Sequence, residues 1–189
     1  LCGFLTPFST VHAQQLERQD VLPLFQLLGR EDWGAAFKSA NQVIADHPSD
    51  TTDLIGIVNY ASILSACALT ANGEMTYAKL QKHMKHFVGK RLWMAAHPTT
   101  EDTASLGSNT TCLRLDKHPA EAHVAATDRS ATTILCFENY LFDEGVDLSG
   151  LNGKTTRMGG ILTRFETNPN RSRIWIMRLM IEHTSIRKA

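Results

Sequence analysis

Apolar residues follow two rhythms along this chain, and the change falls near residue 87. Before it they recur every three or four positions, the spacing of one helix face; after it they alternate with polar residues, the spacing of one strand face. The first predicted helix is "DVLPLFQLLG", stopped by Gly29, with Pro23 tolerable only in its first turn. The second lies in "DWGAAFKSANQVIADHP", where Trp33, Ala36, Phe37, Ala40, Val43 and Ile44 form one stripe and Pro48 follows the stop. Asp50 or Thr51 caps a third, whose Leu54, Ile57, Val58, Ala61, Leu64 and Ala68 sit among so many small apolar neighbours that burial on most sides is expected. Asn72-Gly73 ends it. A fourth, "MTYAKLQKHMKHF", aligns Tyr77, Leu80, Met84 and Phe87 and leaves Lys79, Lys82 and His86 to water.

Six strand candidates follow: "VGKRLWMAA", "CLRL", "EAHVAAT", "TTILCF", "TTRMGGILTRF" and "RIWIMRLMIEHT". A polar loop, "HPTTEDTASLGSNTT", separates the first two, and an irregular stretch, "ENYLFDEGVDLSGLNGK", precedes the fifth. Strands without a long helix predict a small antiparallel barrel or sandwich. Gly159 and Gly160 inside one of them predict a bulge or a sharp bend. The fold class expected is therefore α+β, an N-terminal helical hairpin module over residues 14–87 followed by a small antiparallel β-domain over 88–189.

Charge changes this picture only locally. Nineteen basic and nineteen acidic residues cancel, which removes a net field towards nucleic acid or anionic membrane. Residues 101–147 nevertheless carry 9 acidic against 3 basic side chains, and 148–189 carry 2 against 8. At the other end, Leu1 to Val11 is apolar and uncharged, and Val11-His12-Ala13 offers the small or β-branched residues a signal peptidase accepts. Residues 1–13 are thus read as a truncated signal peptide, with Gln14 as the mature start and a periplasmic or secreted location. A frayed apolar strand or helix is the plainer alternative. No other stretch reads as a membrane span.

Removing Cys2 with the signal leaves Cys67, Cys112 and Cys136. Cys112 and Cys136 lie in strand-like runs and form the candidate disulfide, with Cys67 a buried thiol; three separate buried thiols are the alternative. The "HMKH" run puts His83 and His86 three apart on a helix, but a zinc site needs further donors, and His97, His118, His123 and Cys112 form no second close pair. No metal or cofactor is expected. Cys112 with His118 or His123 could imitate a thiol–imidazole pair, yet it reads as an apolar strand residue, and no nucleophile elbow, P-loop or H-E-x-x-H occurs. "NTT" at Asn109 is a glycosylation pattern only in a eukaryotic source.

Two resemblances bear on role. Leu28-Gly29 through "DWGAAFKSANQVIADHPSD" resembles the second half of a tetratricopeptide-type unit, although the next comparable glycine, Gly73, lies well beyond the repeat of about 34 residues. The resemblance implies a peptide- or protein-binding hairpin. Gly89-Lys90 and "DLSGLNGKTTRMGGIL" resemble parts of an OB-fold, which implies a barrel that binds oligonucleotides, sugars or proteins; the helix such folds carry between strands three and four has only Glu138 to Leu148 available.

The leading expectation is an exported, non-enzymatic protein that binds a protein or peptide partner. Single-stranded nucleic acid is the competing ligand, and a metal- or thiol-dependent enzyme the third reading. The candidate ligand-binding residues are Lys154, Arg157, Arg164, Arg173 and Arg178, with Tyr140 and Trp175 (and Phe142 and Phe165 beside them) as stacking faces. Pairing of these cations with the acidic 101–147 segment is the intramolecular alternative.

Overall fold

The computed structural model describes residues 15–102, 109–170 and 175–189. The predicted signal segment lies outside them, as does Arg173. Four helices, α1 (Arg18–Gly29), α2 (Trp33–Asp46), α3 (Asp53–Ala71) and α4 (Tyr77–Met84), precede seven strands. The strands are β1 (Arg91–Trp93), β2 (His97–Thr100), β3 (Thr111–Arg114), β4 (Glu121–Thr127), β5 (Ile134–Leu141), β6 (Thr155–Thr167) and β7 (Trp175–Lys188). The architecture is α+β, with the helices ahead of one mixed sheet.

Local chemistry explains the helix starts. Glu17 and Asp20 form a reciprocal capping box that starts α1 two residues before the expected Asp20. Pro23 therefore lies in the second turn, where it removes one helical hydrogen bond on the exposed side. Asp32 caps α2 by accepting from the Ala35 amide at 3.1 Å, and Thr76 caps α4 through the Lys79 amide. α3 starts after Thr52 and buries fourteen of its nineteen residues. Its mean hydropathy of 1.7 and its length match those of a membrane span, which corrects the expectation that no stretch beyond the opening one does; here most of the helix is buried in protein.

The sheet is ordered β1-β6-β2-β3-β4-β5-β7, and β6 also pairs with β7. Five pairings are antiparallel, but β2–β3 and β5–β7 are parallel, so the expected purely antiparallel arrangement is corrected. β2 is the cause of half of that difference. The polar "HPTT" run, expected as loop, enters the sheet as a strand between β3 and β6. The glycine prediction holds: the β6–β7 register shifts between Gly159 and Ile161, and Trp93 of β1 lies opposite Gly159. No helix occupies the stretch after β5; Glu138 to Leu141 belong to that strand and the following residues turn without regular structure.

One apolar cluster joins both halves of the chain. Tyr60, Ile63 and Cys67 of α3, and Leu80, Met84 and Phe87 at and after α4, pack with Leu92, Val124, Cys136, Leu162, Leu179 and Ile181 of the strands. A second cluster, with Val21, Leu24, Ala36, Ala40 and Val58, ties α1 and α2 to the opposite side of α3. Helix gives way to strand at residues 87–91, but the core crosses that boundary. A fragment of residues 88–189 would expose the sheet face that α3 covers, so we expect it to lose cooperative thermal unfolding when followed by circular dichroism.

Candidate functional site

α3 turns about 100° per residue, so Leu54, Ile57, Ala61 and Leu64 fall on one side of it and Ile55 and Asn59 on nearly the opposite side. The first side forms the floor of the largest cleft described, about 680 Å³. α1 supplies Phe25 and Leu28 as one wall, and Met94 and Ala95 after β1 supply the other. Apart from Tyr60, the side chains with polar groups around it are Arg18 and Arg157, both exposed and without an ion-pair partner among the described residues. Arg157 sits opposite Arg187 on β7, a like-charge pair, while Arg187 is held by Asp53 at 2.8 Å and lies over the Trp93 ring at 5.0 Å.

Tyr60 connects this cleft to an interior polar cluster. Its hydroxyl donates to one carboxylate oxygen of Glu138, and the Tyr140 hydroxyl donates to the other at 2.8 Å. Glu138 is fully buried, and that burial pushes its carboxyl up to about 7 even though the two tyrosine hydrogen bonds pull the other way. Burial and the Glu138 charge push both phenols well above their ordinary value. Cys136, two residues before Glu138, faces Cys67 of α3 with the sulfurs 3.6 Å apart. Glu138 is out of solvent and Tyr60 is only 6% exposed. The role of Glu138 on this geometry is to seat α3 on β5 through satisfied hydrogen bonds.

A serine–histidine contact lies nearby in sequence but not in function. Ser62 Oγ is 3.0 Å from His83 Nε2 and donates to Asn41 at 3.3 Å, while Phe37 meets the imidazole tilted and Phe87 edge to face, with ring centres 4.9 and 5.0 Å away. The hydroxyl is fully buried, and burial, with the neighbouring His86, lowers His83 to about 4. A nucleophile needs access, and this hydroxyl is buried. His83 is packed between the two phenylalanine rings, whereas His86 is exposed. Among the described residues, no three or more His, Cys, Asp or Glu side chains converge as metal ligands would.

The predicted binding residues fall in separate places. Lys154 is exposed in the turn before β6, and Arg157 edges the cleft. Arg164 and Arg178 lie on the outer face of the sheet, lining a shallow hollow of about 250 Å³ with Phe137 and Phe165. Arg178 stacks on Trp175 at 4.5 Å and reaches Glu166 at 3.9 Å. Tyr140 and Phe142 point inward with 1% exposure each, which corrects their assignment as stacking faces. Arg178 and Arg187 do find intramolecular anions, but these are Glu166 and Asp53, not members of the acidic 101–147 segment.

The candidate disulfide is also corrected. Cys67, Cys112 and Cys136 are free thiols. Cys112 lies opposite His123 on β4 whereas Cys136 lies opposite Ala126. They are separated by two strand spacings and three residues, roughly 10 Å in each direction, beyond the reach of a disulfide. Nor do Cys112 and His123 pair chemically: burial raises the thiol, and His123 is engaged by Asn139 at 2.8 Å and by Glu121 at 3.4 Å. The sequence reading missed Tyr60 and Glu138. The signal for Glu138 was present in "CFENYLF", where alternation puts an acid on the same face as Cys136, Tyr140 and Phe142. Compared with known proteins, the chain matches no family model, no curated protein and no solved structure.

Proposed function

We propose that this protein is a non-enzymatic binding protein that takes an apolar, acid-flanked stretch of a protein or peptide partner into the cleft between α1, α3 and β6. The observation that carries the reading is the pairing of apolar walls, Phe25, Leu28, Ile57 and Leu64, with Arg18 and Arg157 as the charged groups at the cleft. Apolar area in the cleft supplies affinity, and two unmatched guanidiniums beside it select an anionic flank. The side chains with polar groups at the cleft are Arg18, Arg157 and Tyr60, and the Tyr60 hydroxyl is committed inward to Glu138.

The helical half of the proposal remains a tetratricopeptide-like hairpin. The β half is an OB-like closed barrel, supported by pairings that run from β6 through β2, β3, β4, β5 and β7 back to β6. Export to the periplasm or the exterior belongs to the same reading and rests on the apolar opening stretch. Single-stranded nucleic acid is the weaker ligand, because Arg178 already stacks on its own Trp175 and two of the expected stacking rings are interior.

Fluorescence anisotropy with a labelled leucine-rich peptide flanked by glutamates tests the cleft. Ile57→Asp is expected to abolish binding. Arg157→Glu should weaken it about tenfold, the loss of one charge-assisted contact, and a lysine-flanked peptide should recover that loss. Equal affinity of wild type and both variants would refute the assignment.

A further inference from the structure

On the opposite side of α3 lies a second cleft of about 330 Å³. The loop between α2 and α3 forms one wall, and Gly89, Lys90 and Arg91, where α4 leads into β1, form the other. Ile44, Ile55, Ile161 and Pro48 give it an aliphatic lining. Asn59 also lines it, with only 4% of its surface exposed. The Asn59 amide nitrogen donates to the Arg91 carbonyl at 3.0 Å, which fixes the orientation of the amide group. Its amide oxygen is buried with no hydrogen-bond partner among the described residues. A buried acceptor left without a donor is unfavourable, and a ligand N–H brought to it would relieve that cost.

The charges around the cleft have a definite polarity. Asp53 is shared by Arg91 at 3.5 Å and Arg187 at 2.8 Å, so one carboxylate serves two guanidiniums. Lys90 adds a third cation; it has no ion-pair partner among the described residues and lies 5.9 Å from the centre of the Phe87 ring. That wall has an excess of positive charge and suits a carboxylate. Across the cleft, Asp50 is fixed by the amides of Leu16 at 2.9 Å and Thr52 at 2.7 Å. A carboxylate has further lone pairs beyond those two, so Asp50 retains capacity for a cation.

We infer that this cleft binds a free aliphatic α-amino acid, with its carboxylate towards Lys90 and Arg91, its ammonium towards the Asn59 amide oxygen and Asp50, and its side chain among Ile44, Ile55 and Ile161. The volume lies at the lower end of small-molecule sites, as a single amino acid requires. The inference is independent of the peptide cleft, since it uses the other side of α3.

Isothermal titration calorimetry on the full chain with L-leucine tests it. Two analogues dissect the contacts: 4-methylpentanoate lacks the ammonium and 3-methylbutylamine lacks the carboxylate. Leucine is expected to bind, and each analogue to bind at least tenfold more weakly. Asn59→Leu should abolish binding. Lys90→Ala, an exposed change that leaves the core intact, should weaken it about fivefold and serves as the test if the Asn59 variant does not fold. Absence of leucine binding at millimolar concentration would overturn the inference. So would N-acetyl-L-leucine binding as tightly as leucine, because the acetylated nitrogen carries no charge for Asp50, or unchanged affinity in Lys90→Ala.

Discussion

Gly159→Ala is expected to destabilise the protein by about 3 kcal/mol or more, the range of losing a buried tryptophan's packing. A β-carbon at this position would lie 1.5 Å from Cε3 of Trp93, so the indole must leave its place. Trp93 is only 3% exposed, is paired with Gly159 in the β1–β6 register, and has Arg187 5.0 Å from the centre of its ring. Moving it disturbs β1, the Arg187–Asp53 ion pair and the seat of α3 together. Urea denaturation of wild type and variant measures the loss. For a chain of this size it corresponds to a fall in melting temperature of roughly 6–12 °C. Gly34→Ala is the control: nothing lies within 4 Å of the added carbon and the residue is helical, so this variant should be unchanged or slightly more stable. A Gly159→Ala variant as stable as the control would mean that the indole does not pack on the bulge.

Glu138→Gln is the second large effect, and it is a change in pH dependence. In the unfolded chain this carboxyl titrates near 4.5, whereas in the folded protein it titrates at about 7. A raised folded value means that the stability tied to the proton is fully present below pH 4.5 and is lost as pH rises to about 7. The interval of some 2.5 pH units corresponds to about 3 kcal/mol. Gln cannot ionise, so its stability relative to wild type should improve by about that amount between pH 4 and pH 8, read from denaturant midpoints at both. His83 runs the other way: burial depresses its folded value to about 4, so its contribution is present above pH 6.5 and fades as pH falls towards 4. In wild type the two slopes oppose each other over pH 4.5–6.5, and the Gln variant should uncover the histidine's alone. A constant difference between wild type and variant across pH would show that Glu138 is not held in a dry interior.

The legible parts of the fold were those in which neighbouring residues already agree. α2 was readable because Trp33, Phe37, Ala40 and Ile44 repeat at helical spacing with Asp32 to cap them and Pro48 to stop them. β4 and β5 alternate clearly, and Gly159-Gly160 marked a bulge from composition alone. β2 was not readable, because "HPTT" has a proline and no apolar alternation; it is a strand only because β3 and β6 offer it hydrogen-bond partners. Arg157 was identified for its charge, but its place beside an apolar cleft depends on α1 and α3, which are remote in sequence.

What the sequence by itself determined is the class of the protein: helices first, strands after, a balanced net charge, and an apolar helix from Asp53 to Ala71 too uniformly hydrophobic to lie on a surface. Each follows from local periodicity and composition, which act over a few residues. Only the tertiary structure decided which side chains meet. Tyr60 reaches Glu138 across 78 positions, Cys136 faces Cys67 rather than Cys112, and Asn59 is left with an unpaired oxygen because Arg91, 32 positions away, takes its nitrogen. Those meetings arise from burial of the non-local core, where solvent is excluded and hydrogen bonds must be found among whatever groups the packing brings together.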